Sequence, residues 1–129
     1  MTGSEMTEKK KILIADDERA IHKLLPVLLA PEFDIIHAYN GLEAVELIDS
    51  EQPDLVVLDI IMPGKDGRDI CRDLKKNQKT KDIKVIMLSA KDEQHDRIVG
   101  LELGADDYIA KPVSLEYLSV KIKRMIEKI

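Results

Sequence analysis

The sequence predicts a single α/β domain, a five-stranded parallel sheet with helices on both faces. Three observations lead there. Short, continuous apolar runs at residues 12–15, 55–58 and 85–88 have the character of strands buried on both faces. Between the strands lie segments whose apolar residues recur at three- and four-residue intervals, the spacing of a helix face. The chain has 129 residues, enough for one core and too few for two. Alternation of this kind implies parallel pairing, because strand–helix–strand crossovers are short and right-handed.

The elements follow in order. Residues 1–9 (MTGSEMTEK) read as a loose polar leader, and the domain spans 10–129. The first strand is Ile12-Leu13-Ile14-Ala15, followed by a helix from 18 to about 29 with Ile21, Leu24, Leu25 and Leu28 in helical register. Pro26 falls inside that helix, where it removes an N–H and should kink or weaken it, and Pro31 marks its end. A second strand covers 33–38. Asn40-Gly41 then breaks the chain before a helix with its stripe at Leu42, Val45 and Ile48. The third strand, 54–58, stops at Asp59. After the turns at Pro63-Gly64 and Asp66-Gly67 comes a helix over about 66–75, with Ile70 and Leu74 inward, and KKNQKTKD reads as a solvated loop. The fourth strand is 83–88. A helix over about 93–103 ends at Gly104, a left-handed cap, and a fifth strand spans 107–110. Ser114 caps the last helix, whose 3–4 stripe is Leu115, Leu118, Ile122, Met125 and Ile129. Two heptads fit packing on the chain's own sheet better than a coiled coil.

Composition narrows the function classes. With 44% hydrophobic and 35% charged residues, the chain is neither disordered nor membrane-spanning, and no apolar run approaches the length of a span. The start carries no secretory signal, and a single cysteine, Cys71, excludes an internal disulfide and points to inert packing in a reducing compartment. The net charge of −5 argues against direct nucleic-acid binding. The expected location is the cytoplasm.

Asp59 poses the functional question, because a carboxylate closing a buried strand needs compensation. In open parallel sheets the ligand site lies at the carboxyl ends of the strands. Other strand ends here are polar too: Asp16-Asp17 after the first, Ser89 after the fourth, and Lys111-Pro112 after the fifth. Three clustered carboxylates require a cation, and oxygen-only ligands suit Mg²⁺ with an incoming phosphate. A hydroxyl and an ammonium beside them equip the edge to hold a phosphoryl group.

The stretches ILIADDE, LVVLDIIMPGKDG, VIMLSA and GADDYIAKP, in this order and at strand ends, resemble the receiver (response-regulator) domain of bacterial two-component signalling over about residues 10–129. The resemblance implies a flavodoxin-like (βα)5 fold with strand order 2-1-3-4-5. It implies Asp59 as phosphoacceptor from a histidine kinase or histidine phosphotransfer protein, and Mg²⁺ held by Asp16, Asp17, Asp59 and the Ile61 carbonyl. It also implies Lys111 as partner of the acceptor and then of the phosphoryl oxygens, next to a cis Lys111–Pro112 bond. Ser89 and Tyr108 would form the switch, Ser89 moving to the phosphoryl group and Tyr108 swinging inward. The face of the fourth helix, fifth strand and fifth helix would then be remodelled to regulate a partner or attached effector. Such a domain is not an enzyme on another substrate and catalyses only its own phosphorylation and dephosphorylation. Asp106, Asp107, Glu102 and Arg97, with Lys121 and Lys123, resemble positions used in phosphorylation-promoted dimers, although Tyr117 replaces the usual acid. Ile61 and Lys91 occupy the positions that influence dephosphorylation, and Val113 stands where an aromatic residue is frequent.

Each residue taken singly has a plainer role. Asp16-Asp17 suits a helix N-cap, Asp59 a turn cap, Lys111 a surface position, Ser89 a turn, and Tyr108 packing. The basic run Lys121, Lys123, Arg124 and Lys128 suits a solvated face. His22, His37 and His95 lack metal-ligand spacing and read as structural or exposed. The alternative function on the same fold is a phosphate-independent interaction module. An electron carrier would need a small-residue phosphate loop where Asp16-Asp17-Glu18 stands. An aspartate phosphatase would commonly carry a second acid where Ile61 stands. The chain fits either a stand-alone receiver or one cut from a longer protein.

Overall fold

The computed structural model describes residues 9–89, 98 and 101–129. The predicted leader up to residue 8, most of the predicted 93–103 helix, and Lys91, His95 and Arg97 lie outside the described residues. Residues 98, 101 and 102 are helical.

The elements are β1 (Lys11–Ala15), α1 (Arg19–Leu29), β2 (Asp34–Ala38), α2 (Gly41–Glu51), β3 (Leu55–Asp59), α3 (Gly67–Lys76), β4 (Lys84–Ser89), β5 (Asp107–Ala110) and α4 (Leu115–Glu127). The five strands pair in parallel in the order β2-β1-β3-β4-β5. Alternate residues of each strand feed two separate cores, as the two-residue period of a strand requires. Leu13, Ala15, Val56, Leu58, Val85 and Met87 pack on one face with Ala44, Ile48, Ile70 and Leu74 of α2 and α3. Ile12, Ile14, Leu55, Val57, Ile86 and Leu88 pack on the other with Leu25 and Leu29 of α1 and Leu118 and Ile122 of α4.

Helix faces differ from the predicted stripes in several places. In α2 the buried residues are Gly41, Ala44 and Ile48, while Leu42 is 64% and Val45 39% exposed. In α1 the inward set is Ile21, His22, Leu25 and Leu29, and Leu24 faces out. Ile126, not Ile129, completes the buried set of α4. A 3–4 spacing is satisfied by more than one set of residues on these helices, and contact with the sheet selects among them. α1 continues through Pro26, and the Ala30 N–H donates to the Pro26 carbonyl at 2.7 Å. The loop after α3 is not wholly solvated: Thr80 is buried, and its Oγ1 donates to the Leu74 carbonyl at 2.7 Å. The peptides Lys111–Pro112 and Ala30–Pro31 are both cis.

Candidate functional site

Strand register brings the polar strand ends together. Ala15 lies opposite Leu58, so the next residue, Asp16, reaches the edge beside Asp59. Asp59 pairs with Leu88, and Ser89 with Ala110, which places Ser89 and Lys111 at the same edge. The Lys111 N–H donates to the Ser89 carbonyl at 2.6 Å and ties the last two strand ends.

The loop after β3 is held tightly. The Ile60 N–H donates to the Leu88 carbonyl at 2.9 Å, and the Gly67 N–H returns to the Ile60 carbonyl at 2.8 Å. A Cβ on Gly67 would lie 2.3 Å from the Asp59 carbonyl oxygen, so only glycine lets α3 start this close to the site. Asp66 caps α3 by accepting from the Arg68 N–H at 2.8 Å.

One carboxylate oxygen from each of Asp16, Asp17 and Asp59 lies within 4.8 Å of the others, Asp16 and Asp59 buried and Asp17 exposed. Asp16 is not a helix cap. Its Oδ1 accepts from the Glu18 N–H at 2.9 Å, and Glu18 occupies the cap position of α1 without a side-chain bond. Lys111 Nζ stands 2.9 Å from Asp16 Oδ2, 2.6 Å from Glu18 Oε1 and 3.6 Å from Asp59 Oδ2. Asp16 Oδ2, despite that ion pair, accepts no aligned hydrogen bond and is fully buried. Ile61 follows the strand and is 66% exposed, while Asp59 itself is 5% exposed. A cleft of about 430 Å³ runs beside these groups, lined by Asp16, Glu18, Ile21, Lys111, Pro112, Val113 and Leu115.

The electrostatics follow from this crowding. Burial, then the Asp16 charge, pushes Asp59 up to about 6, against the opposing pull of Lys111 and the Ile61 N–H. Burial alone would lower Lys111. Its bond to Glu18 and its close pairing with the Asp16 carboxylate, with the Asp59 charge, outweigh that and hold the ammonium above the usual lysine range. Oxygen donors alone, a raised acceptor carboxyl and an open lone pair on a buried carboxylate oxygen fit a hard divalent cation such as Mg²⁺.

Ser89 and Tyr108, the predicted switch residues, are both buried, Tyr108 at 8% exposure among Cys71, Ile83 and Met87. The ring is therefore already inward in this structure, and a swing inward from an exposed position does not start here. Asp106 and Asp107, predicted as dimer-face positions, are engaged within the chain: Asp106 Oδ2 with Lys75 at 2.9 Å and Asp107 with Lys121. Lys123 Nζ reaches Glu32 at 3.7 Å.

A network the sequence reading missed stands behind Asp16. His22 Nε2 lies 2.7 Å from the Asp16 carbonyl oxygen, and His22 Nδ1 lies 2.8 Å from His37 Nδ1. A carbonyl only accepts, so His22 Nε2 carries a proton and, in the neutral ring, Nδ1 accepts from the His37 Nδ1–H. Burial, and then the neighbouring His22, lowers His37 and favours its neutral form. The Tyr39 ring packs on His22 with centroids 4.2 Å apart, and the Arg19 guanidinium covers Tyr39 at 4.8 Å. The available signal was the position of His22 on the 22-25-29 stripe that α1 buries.

Known proteins match most of the chain in sequence and in fold. The family model described as the response regulator receiver domain matches residues 12–123. The receiver domain of a Francisella response regulator is 32% identical with a TM-score of 0.85, over 93% of this chain and 98% of that one. The signal receiver domain of a signal transduction histidine kinase from Syntrophus aciditrophicus is 34% identical, with a TM-score of 0.83, covering 93% and 92%. The response regulator DrrB of Thermotoga maritima, described as an OmpR/PhoB homologue, is 30% identical with a TM-score of 0.85, over 94% of this chain and 54% of that one.

Proposed function

From the premise that this chain belongs to the response regulator receiver domain family, we propose that it accepts a phosphoryl group on Asp59 and changes its outer face in response. The observation that carries this reading is the convergence of Asp16, Asp17, Asp59 and Lys111 at one sheet edge, with the Asp59 carboxyl raised.

In the transfer, an Asp59 carboxylate oxygen attacks phosphorus. The bond from phosphorus to the donor's imidazole nitrogen breaks, and the imidazole leaves with the bonding pair and takes up a proton. Asp16 and Asp17, with Asp59 and the Ile61 carbonyl, would hold Mg²⁺, which supplies charge neutralisation to the phosphoryl oxygens. Lys111 neutralises the acceptor before transfer and the phosphoryl oxygens after it, and the Ser89 hydroxyl donates to one of those oxygens. Because Tyr108 is already inside, phosphorylation would act by holding the ring there as Ser89 moves, biasing the outer surface of β5 and α4.

The donor would be a histidine kinase or phosphotransfer protein, and the output a docked protein or attached effector. A DrrB receiver domain described as BeF3-activated is 31% identical to this chain, which supports the same treatment here. Among the described residues no helix is long and apolar enough to cross a membrane.

The test is intact mass after incubation with acetyl phosphate and Mg²⁺, for the native chain and Asp59→Asn. The expected result is one phosphoryl adduct on the native chain alone. No adduct on the native chain, together with no beryllofluoride binding, would favour a phosphate-independent interaction module.

A further inference from the structure

We propose that His22 is a positioning residue for the metal and phosphoryl site: its Nε2–H holds the carbonyl of Asp16 and thereby fixes the peptide joining the two acids of strand one. The inference rests on the receiver reading and adds to it a group that touches neither metal nor phosphate.

The carbonyl of Asp16 and the N–H of Asp17 belong to one peptide plane. Whatever sets that plane sets the direction in which Asp17 leaves the backbone, and helps set where Asp16 ends. Asp16 is fully buried, so its carbonyl has no access to water and must be satisfied within the protein. The other restraints on Asp16 act elsewhere: its N–H donates to the Ala38 carbonyl at 3.1 Å, and its Oδ1 accepts from the Glu18 N–H. The bond from His22 acts on the carbonyl itself.

His22 is in turn held. It is 6% exposed, it accepts from His37 on β2, and Tyr39 packs on its ring. A directed chain thus runs from the His37 Nδ1–H through the His22 ring to the Asp16 carbonyl. Without the donor, the buried carbonyl would gain by rotating toward another partner, and the two carboxylates would turn with it. Outer groups that orient metal ligands in this way affect metal affinity strongly.

The experiment measures the Mg²⁺ dissociation constant by calorimetry for the native chain, His22→Met and His22→Gln, with urea unfolding run in parallel. His22→Met keeps comparable bulk and removes the donor; His22→Gln keeps an amide N–H near the Nε2 position. The expected result is a loss of affinity on the order of tenfold in His22→Met. His22→Gln should recover most of it whatever its stability. Equal affinity in His22→Met and native, or equal loss in both variants, would overturn the proposal and leave His22 a packing residue. Native protein that binds no Mg²⁺ would overturn the metal-site reading itself and this inference with it. A second measurement needs no variant: ¹⁵N spectra of the native imidazoles should show His22 as the Nε2–H tautomer, its resonances shifting on Mg²⁺ addition. An Nδ1–H tautomer would overturn the proposal.

Discussion

Lys111 Nζ lies 2.6 Å from Glu18 Oε1 and 3.6 Å from Asp59 Oδ2, so in this structure the site's ammonium is drawn toward α1 and away from the acceptor. Glu18→Gln should release it. The expected outcome is a fall in the Asp59 pKa from its raised value near 6, read by carboxyl ¹³C titration. Because Glu18 is largely exposed, folding stability should change by less than about 1 kcal/mol.

Asp59→Asn should stabilise the metal-free protein at neutral pH. The carboxyl titrates at about 6 in the folded chain against 3.8 in the unfolded one. The folded state therefore binds the proton more tightly, and stability is lost as pH rises from about 4 through about 6. The substitution removes that loss. Urea unfolding should show a gain of about 1–3 kcal/mol at pH 7.5 that closes below pH 4.

The same raised carboxyl makes Mg²⁺ and the proton compete. Affinity for Mg²⁺ should weaken as pH falls through about 6, approaching ~tenfold per pH unit below it, with proton release on binding. Calorimetry in two buffers of different ionisation enthalpy checks both the slope and the proton.

Gly67→Ala places a Cβ against the Asp59 carbonyl, where the neighbouring atoms are backbone and cannot turn aside. We expect a destabilisation of about 1–3 kcal/mol in urea. Formation of the phosphoryl adduct should slow even at temperatures where the variant remains folded.

Cys71 is fully buried, and burial pushes its thiol up to about 11. Iodoacetamide should therefore leave it unmodified in the native protein at pH 8 and alkylate it fully in urea, as intact mass would show.

The strand ends were readable in the sequence because a buried strand announces itself by a continuous apolar run, and the first polar residue after it marks the edge. Asp16, Asp17, Asp59, Ser89 and Lys111 could thus be gathered from positions far apart in the chain. Helix faces were harder. Leu42 and Val45, three residues apart, fit a helix face as well as Ala44 and Ile48, four apart, and the sheet, not the spacing, selects the small Ala44 for close approach. The His22–His37 pair was hidden for a different reason. Its members belong to α1 and β2, and they meet only because β2 lies beside β1 in register, with His37 opposite Ile14. The bond between Lys111 and Glu18 likewise joins opposite ends of the chain and has no local signature.

The most direct test of the central claim locates the phosphoryl group. After treatment with acetyl phosphate and Mg²⁺, borohydride reduction converts an aspartyl phosphate to homoserine, and peptide mass spectrometry reads the position. Homoserine is expected at residue 59 and nowhere else, dependent on Mg²⁺. Homoserine at Asp16 or Asp17, or an unreduced adduct on a histidine or serine, would contradict it.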